Sequence, residues 1–456
     1  MKNLKGKRVI VVGLGASGVA AAKLALRSGA SVVGTDAREE QALTPDVVAL
    51  KQQGVRLIAG VHGKANFQGA DLIVLSPGVP LFAELKYAVD RGIPLLGETE
   101  FAIQACVHGA PLLAVGGTNG KSTTTSLIGE FLKAEGLSAF VGGNLGEPFA
   151  NHTETKWDVI VLEVSSFQME HVIHFRPSVG VLLNITPDHL DRHASFEAYV
   201  LAKGNAFARQ QPEDSAIYPY HDVLCKQQVQ RGQAKLISFG VQSEADVQVQ
   251  SDQIVDQQCA ERYSRKEILL KGSHNALNIA AAIAAIGPFR VKGDTIRSVL
   301  ASFSGLPHRM QFVTEVEGVR YYNDSKGTNV GAAVMALSGL EEENAILIAG
   351  GYEKKGSYEP LVQALERKGK AMVVLGQAAA AIEAAIGNRL PVVRVSTMEE
   401  AVEMSFELAS PGDAVLLSPA CASWDMFPNY QSRGDAFVQA VLKIRKNKRK
   451  ECSFSQ

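Results

Sequence analysis

The chain contains the glycine-rich stretch Ala114-Val115-Gly116-Gly117-Thr118-Asn119-Gly120-Lys121-Ser122-Thr123-Thr124-Thr125. The apolar run that precedes the glycines, 111–115, predicts a buried strand, and the spacing of apolar residues in 126–132 predicts a helix. A strand, a glycine-rich turn and a helix that opens with lysine and serine are typical of a phosphate-binding loop. The loop is one residue shorter than the usual pattern, because Val115 stands where that pattern has a glycine.

The end of this loop carries the groups that a nucleotide phosphate needs. The first helical turn offers unpaired N–H groups and the positive end of the helix dipole, which favour an anion. Lys121 adds a full positive charge, and the hydroxyl of Ser122 can bind Mg²⁺. The alternative is a glycine-rich turn whose threonine or serine only caps the helix. Because strand, glycines, lysine and serine occur in the expected order, we favour nucleotide phosphate binding.

Length and composition limit the class of protein. A chain of 456 residues exceeds what one hydrophobic core usually supports, so several domains are expected. A net charge of −1 gives no strong field for nucleic acid or an anionic membrane. The five cysteines contain no Cys-x-x-Cys pair, which argues for a reducing compartment and against a disulfide framework or a thiolate metal site. With no apolar run of about 20 residues and no signal-peptide pattern, we expect a cytoplasmic protein.

A second glycine motif lies near the start of the chain. A predicted strand, 8–12, runs into Gly13-Leu14-Gly15-Ala16-Ser17-Gly18 and then into an alanine-rich helix. The next predicted strand, 31–36, ends in Asp36, the position of the acid in dinucleotide-binding folds. One interpretation is an NAD-binding site. A second is a helix N-terminus that binds any nucleotide diphosphate, with Asp36 accepting hydrogen bonds from a ribose or base, and a third is tight strand–helix packing alone.

Polar groups follow two predicted strands of the middle region. The strand at 157–162 ends in Glu163, and the strand at 178–183 leads to His189. If the sheet is parallel, both lie beside the phosphate loop and could complete a Mg²⁺ shell. The alternatives are a carboxylate at a helix N-terminus and a structural histidine. Lys203 falls in a helix predicted at 195–209, where spacing alone marks it as a surface lysine.

The rest of the middle region is less regular. Alternation of apolar and polar residues over 235–250, and a similar run at 265–270, predict short antiparallel strands. His274, Asn275 and Asn278 precede or open an alanine-rich helix predicted at 279–286, where they could cap the helix or face a purine.

The last third predicts another α/β domain. Strands at 345–348, 371–375, 391–395 and 413–417 alternate with helices, and polar loops follow several of them. The predicted domains are 1–99, 100–303 and 304–456: a Rossmann-like domain, a central P-loop ATPase-like domain and a C-terminal Rossmann-like α/β domain. Two nucleotide-like sites and a third polar site indicate an ATP-driven joining enzyme. A dehydrogenase would not need the phosphate loop, and a simple kinase would not need the third domain.

Several motifs, in order along the chain, resemble those of the Mur ligases of bacterial peptidoglycan synthesis. They are Gly117-Thr118-Asn119-Gly120-Lys121-Ser122-Thr123, Glu163-Val164-Ser165-Ser166-Phe167-Gln168, Asn184-Ile185-Thr186-Pro187-Asp188-His189-Leu190-Asp191, His274-Asn275-Ala276-Leu277-Asn278 and Leu306-Pro307-His308-Arg309. Three further motifs resemble those of the family members that add D-glutamate. They are Asp324-Ser325-Lys326-Gly327-Thr328-Asn329, Ser418-Pro419-Ala420-Cys421-Ala422-Ser423-Trp424-Asp425-Met426-Phe427 and Arg433-Gly434-Asp435. The resemblance covers nearly the whole chain.

The resemblance implies an activity, its substrates and a cofactor. The activity is ATP-dependent addition of D-glutamate to UDP-N-acetylmuramoyl-L-alanine through an acyl phosphate, with Mg²⁺ and a monomeric chain. The alternatives are another member of the family, a folylpolyglutamate synthase-like ligase that differs in its acceptor, an NAD(P) oxidoreductase and a regulatory nucleotide-binding module.

The resemblance also implies roles for individual residues. Binding of the UDP-substrate is implied for Ser17, Asp36, Arg38, Ser76, Asn144 and Gln168. Binding of ATP is implied for Gly117, Thr118, Asn119, Gly120, Lys121, Ser122, Thr123, Asn275, Asn278, Arg309 and Asp324. Binding of D-glutamate is implied for Lys326, Thr328, Lys354, Ser423 and Tyr430, with Lys355 as the alternative to Lys354. Mg²⁺ is assigned to Ser122, Glu163, His189 and Lys203, the last as a carbamate, and catalysis to Lys121, His189 and Lys203. The chain departs from the family pattern at Gly116, where threonine is common, and at Tyr430, where phenylalanine is common.

Overall fold

The computed structural model describes residues 3–60, 63–190, 192–353 and 356–454. It contains three sheets, and the chain divides into two compact units. The first unit takes the described residues up to Ile185 together with 192–267 and 277–301, and it holds the first two sheets. The second takes the short segments 186–190 and 268–276 and the described residues from Ser302 onward, which include the third sheet.

The first sheet is parallel throughout and has the order β3-β2-β1-β4-β5. Its strands are β1 (Arg8–Val12), β2 (Ser31–Asp36), β3 (Arg56–Ala59), β4 (Leu72–Leu75) and β5 (Leu95–Gly97). Its helices are α1 (Ala16–Arg27), α2 (Pro45–Gln52), α3 (Ala83–Asp90) and α4 (Glu98–Ala105). The last four residues of β1 are buried, as expected for a strand covered by helices on both faces. The predicted Rossmann-like domain is confirmed.

The second sheet has nine strands in the order β14-β13-β12-β11-β10-β9-β6-β8-β7. The strands are β6 (Leu112–Gly116), β7 (Ala139–Gly143), β8 (Val159–Glu163), β9 (Val179–Leu182), β10 (Ser215–Pro219), β11 (Lys235–Gly240), β12 (Val247–Val249), β13 (Gln253–Asp256) and β14 (Glu261–Ser264). The helices are α5 (Lys121–Ala134), α6 (Ser166–Met169), α7 (Phe196–Gly204), α8 (Val223–Val229), α9 (Ser273–Ile286) and α10 (Gly293–Ser302). The predicted strand, phosphate loop and helix are β6, the loop 117–120 and α5.

The third sheet has the order β15-β16-β20-β17-β18-β19, and only the β15–β16 pair is antiparallel among its described pairs. The strands are β15 (Gln311–Val316), β16 (Val319–Asn323), β17 (Ala345–Gly350), β18 (Gly369–Leu375), β19 (Val392–Arg394) and β20 (Ala414–Leu417). The helices are α11 (Val330–Ser338), α12 (Glu359–Lys368), α13 (Ala379–Ile386), α14 (Met398–Leu408) and α15 (Tyr430–Phe454). The third α/β domain is therefore confirmed.

The prediction of short antiparallel strands over 235–250 is wrong for β11 and holds for only one of the two pairings of β12. β11 pairs parallel with β10, and β12 pairs parallel with β11, while antiparallel pairing begins only between β12 and β13. Alternation of polar and apolar residues is typical of antiparallel sheets with one solvated face, but the last four residues of β11 and all of β12 are buried, and the direction of each strand depends on the strands that it meets. The run 265–270 forms no strand, and β14 ends before it at Ser264. The helix predicted at 195–209 ends earlier, at Gly204.

Two further expectations concern the chain as a whole. Within the described ranges, no helix combines the length and apolar character needed to cross a membrane. Among the cysteines whose side chains the structure describes, Cys106, Cys225, Cys259 and Cys421, none forms a disulfide.

Candidate active site

Four neighbouring strands of the second sheet end in polar groups at one edge. In the order β9-β6-β8-β7 these strands are parallel, so their carboxyl ends meet at the same edge. Asn184 follows β9, the phosphate loop follows β6, Glu163 ends β8, and Asn144 follows β7. The sequence predicted this for the loop and Glu163, and the structure confirms that these groups lie at one sheet edge.

The phosphate loop is held in place by Asn184, which the sequence prediction did not single out. The side-chain oxygen of Asn184 accepts hydrogen bonds from the backbone N–H groups of Thr118 at 3.2 Å and Asn119 at 2.8 Å. Its amide nitrogen donates to the carbonyl of Asn119 at 3.0 Å. Gly120 caps α5 with φ of 86°, a left-handed conformation that favours glycine. The loop is thus rigidified by a side chain from the adjacent strand.

Lys121 lies folded over its own loop. Its ammonium donates to the carbonyls of Gly117 at 3.0 Å and Thr118 at 2.7 Å. A lysine at the first position of α5, held over the loop that precedes it, places positive charge where the helix dipole also attracts an anion. This charge lies within reach of a phosphate group bound at the loop.

Buried Ser122 and Glu163 form a polar cluster beside the loop together with Asn144, which is exposed. The Ser122 hydroxyl donates to Glu163 Oε2 at 2.5 Å, and Asn144 Nδ2 donates to Glu163 Oε1 at 2.6 Å. Ser122 is fully buried, and Glu163 is 1% exposed. A hydroxyl and a carboxylate are hard oxygen donors, and Mg²⁺ binds through one or two such protein ligands while keeping waters and phosphate oxygens. The donor set therefore fits Mg²⁺.

No larger metal cage is present in the part of the chain that the structure describes. Within those ranges, no group of three or more His, Cys, Asp or Glu side chains is placed to hold a metal ion. A small protein ligand set is what Mg²⁺ bound together with a nucleotide needs.

Lys203 is buried against the phosphate loop, although its spacing alone predicted a surface lysine. It is 5% exposed, and its ammonium donates to the carbonyl of Gly117 at 2.7 Å. The same nitrogen lies 4.5 Å from the centre of the Tyr199 ring. The Tyr199 hydroxyl in turn lies 2.9 Å from Thr118 Oγ1. The prediction of a surface lysine at 203 is wrong, because helix spacing cannot show which neighbour covers a residue, whereas the resemblance to the family singles Lys203 out.

His189 lies in the second compact unit. Its backbone has φ of 55°, and its N–H donates to Asp188 Oδ1 at 2.9 Å. Asp188 Oδ2 also accepts from Asn329 Nδ2 at 3.0 Å. The roles of His189 in metal binding and catalysis stay predictions.

The three remaining middle-domain candidates have local contacts. A Cβ atom built on Gly120 would lie 2.2 Å from Asn278 Oδ1, so α9 passes directly against the phosphate loop. Asn275 Nδ2 donates to the carbonyl of Lys271 at 2.7 Å. Gln168 Oε1 accepts from the backbone N–H of Ser165 at 2.8 Å and completes the capping box of α6.

The glycine motif of the first domain is tightly packed. A Cβ on Gly18 would lie 1.8 Å from the carbonyl oxygen of Gly13 and 2.6 Å from Ser76 Oγ. The Ser76 hydroxyl donates to that same carbonyl at 2.6 Å, which joins the loop after β4 to the glycine loop. Ser17 lies in the first turn of α1, beside this junction. Ser17 and Ser76 are therefore brought together at the end of the first sheet.

Asp36 and Arg38 form a second junction in that domain. Asp36 Oδ2 accepts from the backbone N–H of Leu14 at 2.7 Å and from Arg38 Nη2 at 2.9 Å. Asp36 Oδ1 accepts from the backbone N–H and Nε of Arg38, at 3.0 and 2.8 Å. Burial raises the pKa of Asp36, but the bonds from Arg38 and the Leu14 N–H outweigh it and hold the pKa at about 2. With two donors on each oxygen, the carboxylate orders the glycine loop, unlike the acid that an NAD-binding site would leave for a ribose.

Arg192 links the first domain to the middle one, and the sequence prediction missed it. Its guanidinium donates to the carbonyls of Gly78 at 3.3 Å and Val79 at 3.2 Å, in the loop after β4. It also donates to Glu170 Oε2 at 3.0 Å. The only signal in the sequence was its place in the segment that follows β9.

Asp324 is a buried carboxyl in the second unit. Its oxygens accept from Ser418 Oγ at 2.7 Å and from the backbone N–H of Met310 at 3.2 Å. Burial raises the pKa of Asp324 to about 6, although the Ser418 hydrogen bond and the charge of Arg309 lower it. Arg309 and Asp324, both predicted for ATP, are thus electrostatically coupled.

The residues predicted for D-glutamate lie in loops that Arg433 joins. Buried Arg433 donates to the carbonyls of Ser325 at 2.8 Å, Cys421 at 3.1 Å and Ala422 at 3.2 Å. This brings the loop of Lys326 and Thr328 beside the loop of Ser423. The ammonium of Lys326 lies 5.0 Å from the centre of the Tyr430 ring. Lys354 and Lys355 lie outside the described residues.

Three family models match the sequence in succession. They are the Mur ligase MurD-like N-terminal domain over residues 7–97, the Mur ligase middle domain over 115–286 and the Mur ligase, glutamate ligase domain over 308–421. Each match lies inside one of the three predicted domains. The predicted boundaries themselves stay predictions.

Similar proteins cover nearly the whole chain. The UDP-N-acetylmuramoylalanine--D-glutamate ligase of Caldanaerobacter subterraneus subsp. tengcongensis is 39% identical over 459 residues, 97% of this chain and 100% of that protein. The ligase of the same name from Geobacter sp. is 42% identical over 445 residues, 96% of this chain and 98% of that protein. In fold, the chain resembles UDP-N-acetylmuramate-alanine ligase MurC from Thermotoga maritima, with a TM-score of 0.61, 19% identity and coverage of 96% and 99%.

Proposed function

This chain belongs to the Mur ligase family, and from that premise we propose that it joins D-glutamate to UDP-N-acetylmuramoyl-L-alanine in peptidoglycan precursor synthesis, using ATP. The observation that carries the proposal is the identity of 39–42% over nearly the full chain to ligases named for this reaction. The phosphate loop and the polar strand ends beside it support the use of ATP. Another Mur ligase or a folylpolyglutamate synthase-like enzyme would share the fold and differ in the acceptor.

The reaction needs two steps, because a carboxylate does not react with an amine unaided. In the first, an oxygen of the L-alanine carboxylate attacks the γ-phosphorus of ATP, the bond to the β-phosphate oxygen breaks, and ADP leaves. In the second, the amine of D-glutamate attacks the carbonyl carbon of the acyl phosphate. The C–N bond forms, the C–O bond to phosphate breaks, and inorganic phosphate leaves.

The first step is opposed by repulsion between anions, and the phosphate loop reduces it. The N–H groups of the loop and of the first turn of α5 would bind the phosphate oxygens. Lys121 now contacts the carbonyls of Gly117 and Thr118, and it would turn from them to the γ-phosphate. In the transition state it would stabilise charge on the transferred group. Asn184 keeps the loop in the required conformation through its bonds to Thr118 and Asn119.

Ser122 and Glu163 are the residues that we propose for Mg²⁺. When bound, Mg²⁺ would neutralise phosphate charge beside the loop. Asn144, which donates to the other oxygen of Glu163, would hold that carboxylate in its orientation. His189 is our proposed further ligand.

Lys203 is placed to extend this charged region. As an ammonium it donates to the carbonyl of Gly117, directly at the phosphate loop. A carbamate on its nitrogen would replace that cation by an anion with two oxygens suited to a second Mg²⁺. We propose this modification because the position matches the carbamylated lysine of the family.

The second step requires a neutral amine and a dry site. We propose that Lys326, Thr328, Lys354, Ser423 and Tyr430 bind D-glutamate, and that Arg309 and Asp324 bind ATP. The side-chain contact between Lys326 and Tyr430 supports a common site for these two. His189 is the candidate for the base that takes the proton from the amine. The first domain would bind the UDP part through Ser17, Arg38 and Ser76, on a loop that Asp36 orders.

The expected setting of the enzyme follows from its substrates. ATP and a UDP-linked precursor are consumed together, so we propose a cytoplasmic reaction, and we expect a monomeric enzyme. Light scattering after size-exclusion chromatography would test the monomer, and a concentration-independent dimer mass would contradict it.

The test of the function is ADP release with UDP-N-acetylmuramoyl-L-alanine, Mg²⁺ and ATP, measured over a panel of amino acids. We expect release with D-glutamate and not with L-glutamate, lysine or diaminopimelate. Release with another amino acid would keep the family and change the acceptor. No release with any acceptor, from a folded chain that binds ATP, would refute the ligase proposal.

A further inference from the structure

His189 stands in a backbone conformation that residues other than glycine rarely adopt. Its φ of 55° lies in the left-handed region, where the Cβ atom of an L-residue comes too close to the following carbonyl oxygen. A residue stays in such a conformation only when its surroundings hold it there, and these residues are concentrated at functional sites. The contacts that hold His189 therefore decide where its imidazole ring lies.

Asp188 makes the first of these contacts. Its Oδ1 accepts a hydrogen bond from the backbone N–H of His189 at 2.9 Å, and its Oδ2 lies 3.7 Å from His189 Nε2. The side chain of Asp188 is 10% exposed, whereas that of His189 is 35% exposed. A largely buried carboxylate thus holds the backbone of the histidine, while part of the imidazole ring stays accessible.

Asn329 makes the second contact, through Asp188. Its Nδ2 donates to Asp188 Oδ2 at 3.0 Å, across 141 positions of the chain. Its Oδ1 accepts from the backbone N–H of Ala332 at 2.7 Å, so the same side chain caps the N-terminus of α11. One amide group therefore joins the carboxylate of Asp188 to the start of a helix.

The position of Asn329 is itself fixed, because it ends the closely packed loop 324–329. The carbonyl of Gly327, in the middle of this loop, accepts a hydrogen bond from the backbone N–H of Ala420 at 2.9 Å. A Cβ atom built on Gly327 would lie 2.6 Å from Ser418 Oγ, so the loop packs directly against the residues that follow β20. Asn329 is thus held from both sides, by this loop and by α11.

From the strained histidine, the carboxylate that holds it and the amide that anchors this carboxylate, we propose that Asp188 and Asn329 are positioning residues for His189. The inference rests on the proposed ligase function, in which His189 binds Mg²⁺ or takes the proton of the incoming amine. The anchor lies at the end of the loop that carries Lys326 and Thr328. His189 is therefore positioned from the loop that we propose for D-glutamate.

The test exchanges the two hydrogen-bonding groups. Asn329→Asp keeps an oxygen for the N–H of Ala332 but replaces the donor by a carboxylate, which repels Asp188. The double variant Asp188→Asn/Asn329→Asp restores the hydrogen bond with donor and acceptor reversed, and it keeps the net charge of the pair. The matched control is Thr397→Asp, which also adds a carboxylate at a side-chain N-cap in the same unit, that of α14.

The first readout is ADP release. Partners of a metal-binding side chain typically contribute about 10- to 100-fold to metal affinity or activity, so we expect Asn329→Asp to lower the rate at subsaturating Mg²⁺ by about that factor. The KM for the UDP-substrate should not change. Asn329→Ser, which keeps an oxygen for the cap and adds no charge, should show a loss of the same kind. The double variant should recover most of the rate, and Thr397→Asp should match the wild type.

A histidine-free background tests whether the effect passes through His189. His189→Gly removes the ring and accepts the left-handed backbone without strain. In that background Asn329→Asp should cause no further loss, because there is no ring left to position. The thermal transitions of all variants should stay at the wild-type value, since every substitution keeps the helix cap.

The second readout needs neither Mg²⁺ nor turnover. In the NMR spectrum of the metal-free chain with ¹³C-labelled histidine rings, the His189 signal is the one missing from His189→Gly. We expect this signal to move in Asn329→Asp, to return in the double variant and to stay in place in Thr397→Asp. An unmoved signal in Asn329→Asp, or a double variant as slow as Asn329→Asp, would overturn the proposal. An inactive wild type would refute the ligase function instead, and the NMR result would still decide the positioning role.

Discussion

Replacing Asp36 by asparagine tests whether this carboxylate holds the glycine loop of the first domain. The native carboxylate accepts four hydrogen bonds, three of them from Arg38 and one from the backbone of Leu14. Its pKa is lowered from 3.8 to about 2, which corresponds to about 2 kcal/mol of stabilisation by the charged form. Asparagine keeps the shape of the side chain and loses its negative charge. Its N–H₂ group would also face the donors that bind one oxygen of the native carboxylate. We therefore expect the first domain to lose about 2 kcal/mol of stability at pH 7.

The pH dependence gives the same prediction an independent check. Because the folded-state pKa is lower than the unfolded one, the stabilisation is fully present above about pH 4 and is lost as the pH falls towards 2. The wild type should lose this increment over that range, and Asp36→Asn should not. The loss of stability would be measured from the hydrogen exchange of the backbone amides in 8–36 as urea is added. A local measurement avoids assuming two-state unfolding for a multidomain chain.

The control for this prediction is Asp71→Asn in the same domain. Asp71 also pairs with a basic residue, Lys7, but both side chains are more than a third exposed, so its loss should matter less. Asp36→Asn should also raise the KM for the UDP-substrate and leave the KM for ATP unchanged. Equal effects of the two substitutions, or an intact glycine loop in Asp36→Asn, would refute the role assigned to Asp36.

Four further outcomes follow from the described contacts. Lys121→Met should lower kcat about 100- to 1,000-fold at unchanged thermal stability, by loss of charge stabilisation in the transition state, and steady-state kinetics would measure it. Glu163→Gln should raise the Mg²⁺ concentration for half-maximal ADP release, and chelation by EDTA should abolish release reversibly; unchanged Mg²⁺ dependence would contradict the assignment. Gly18→Ala, whose Cβ would lie 1.8 Å from a backbone oxygen, should destabilise the first domain by about 1–3 kcal/mol in calorimetry. For Asp324, whose pKa is raised to about 6, stability should fall as the pH rises from 4 to 6, so Asp324→Asn should unfold no earlier than the wild type at pH 7 yet bind ATP less tightly.

Local patterns in the sequence predicted the parts of the site that a single strand–turn–helix unit builds. The phosphate loop, the glycine motif and the acid at the end of β8 can each be recognised within a window of about 30 residues. This is because the spacing of apolar residues and the residues that form turns are local features of the sequence. The parallel sheet then brings successive strand ends to one edge, which is why Glu163 could be placed beside Ser122 before the structure was known.

The features that the sequence did not predict depend on contacts between residues that are far apart in the chain. Lys203 contacts the carbonyl of Gly117, which is 86 positions away, and no spacing in α7 reveals that burial. Asn184 and Arg192 are single polar residues after a strand, a position that most often has no special role. The direction of β11 and β12 depends on which strands they meet, and their alternation of polar and apolar residues does not show this.

The acyl-phosphate route to D-glutamate addition is tested most directly by following one oxygen atom through the reaction. UDP-N-acetylmuramoyl-L-alanine labelled with ¹⁸O in its carboxylate is incubated with the enzyme, ATP, Mg²⁺ and D-glutamate, and both products are analysed by mass spectrometry. We expect a product enlarged by one glutamyl residue and one ¹⁸O transferred to each phosphate released. Phosphate without label, or a product without D-glutamate, would contradict it.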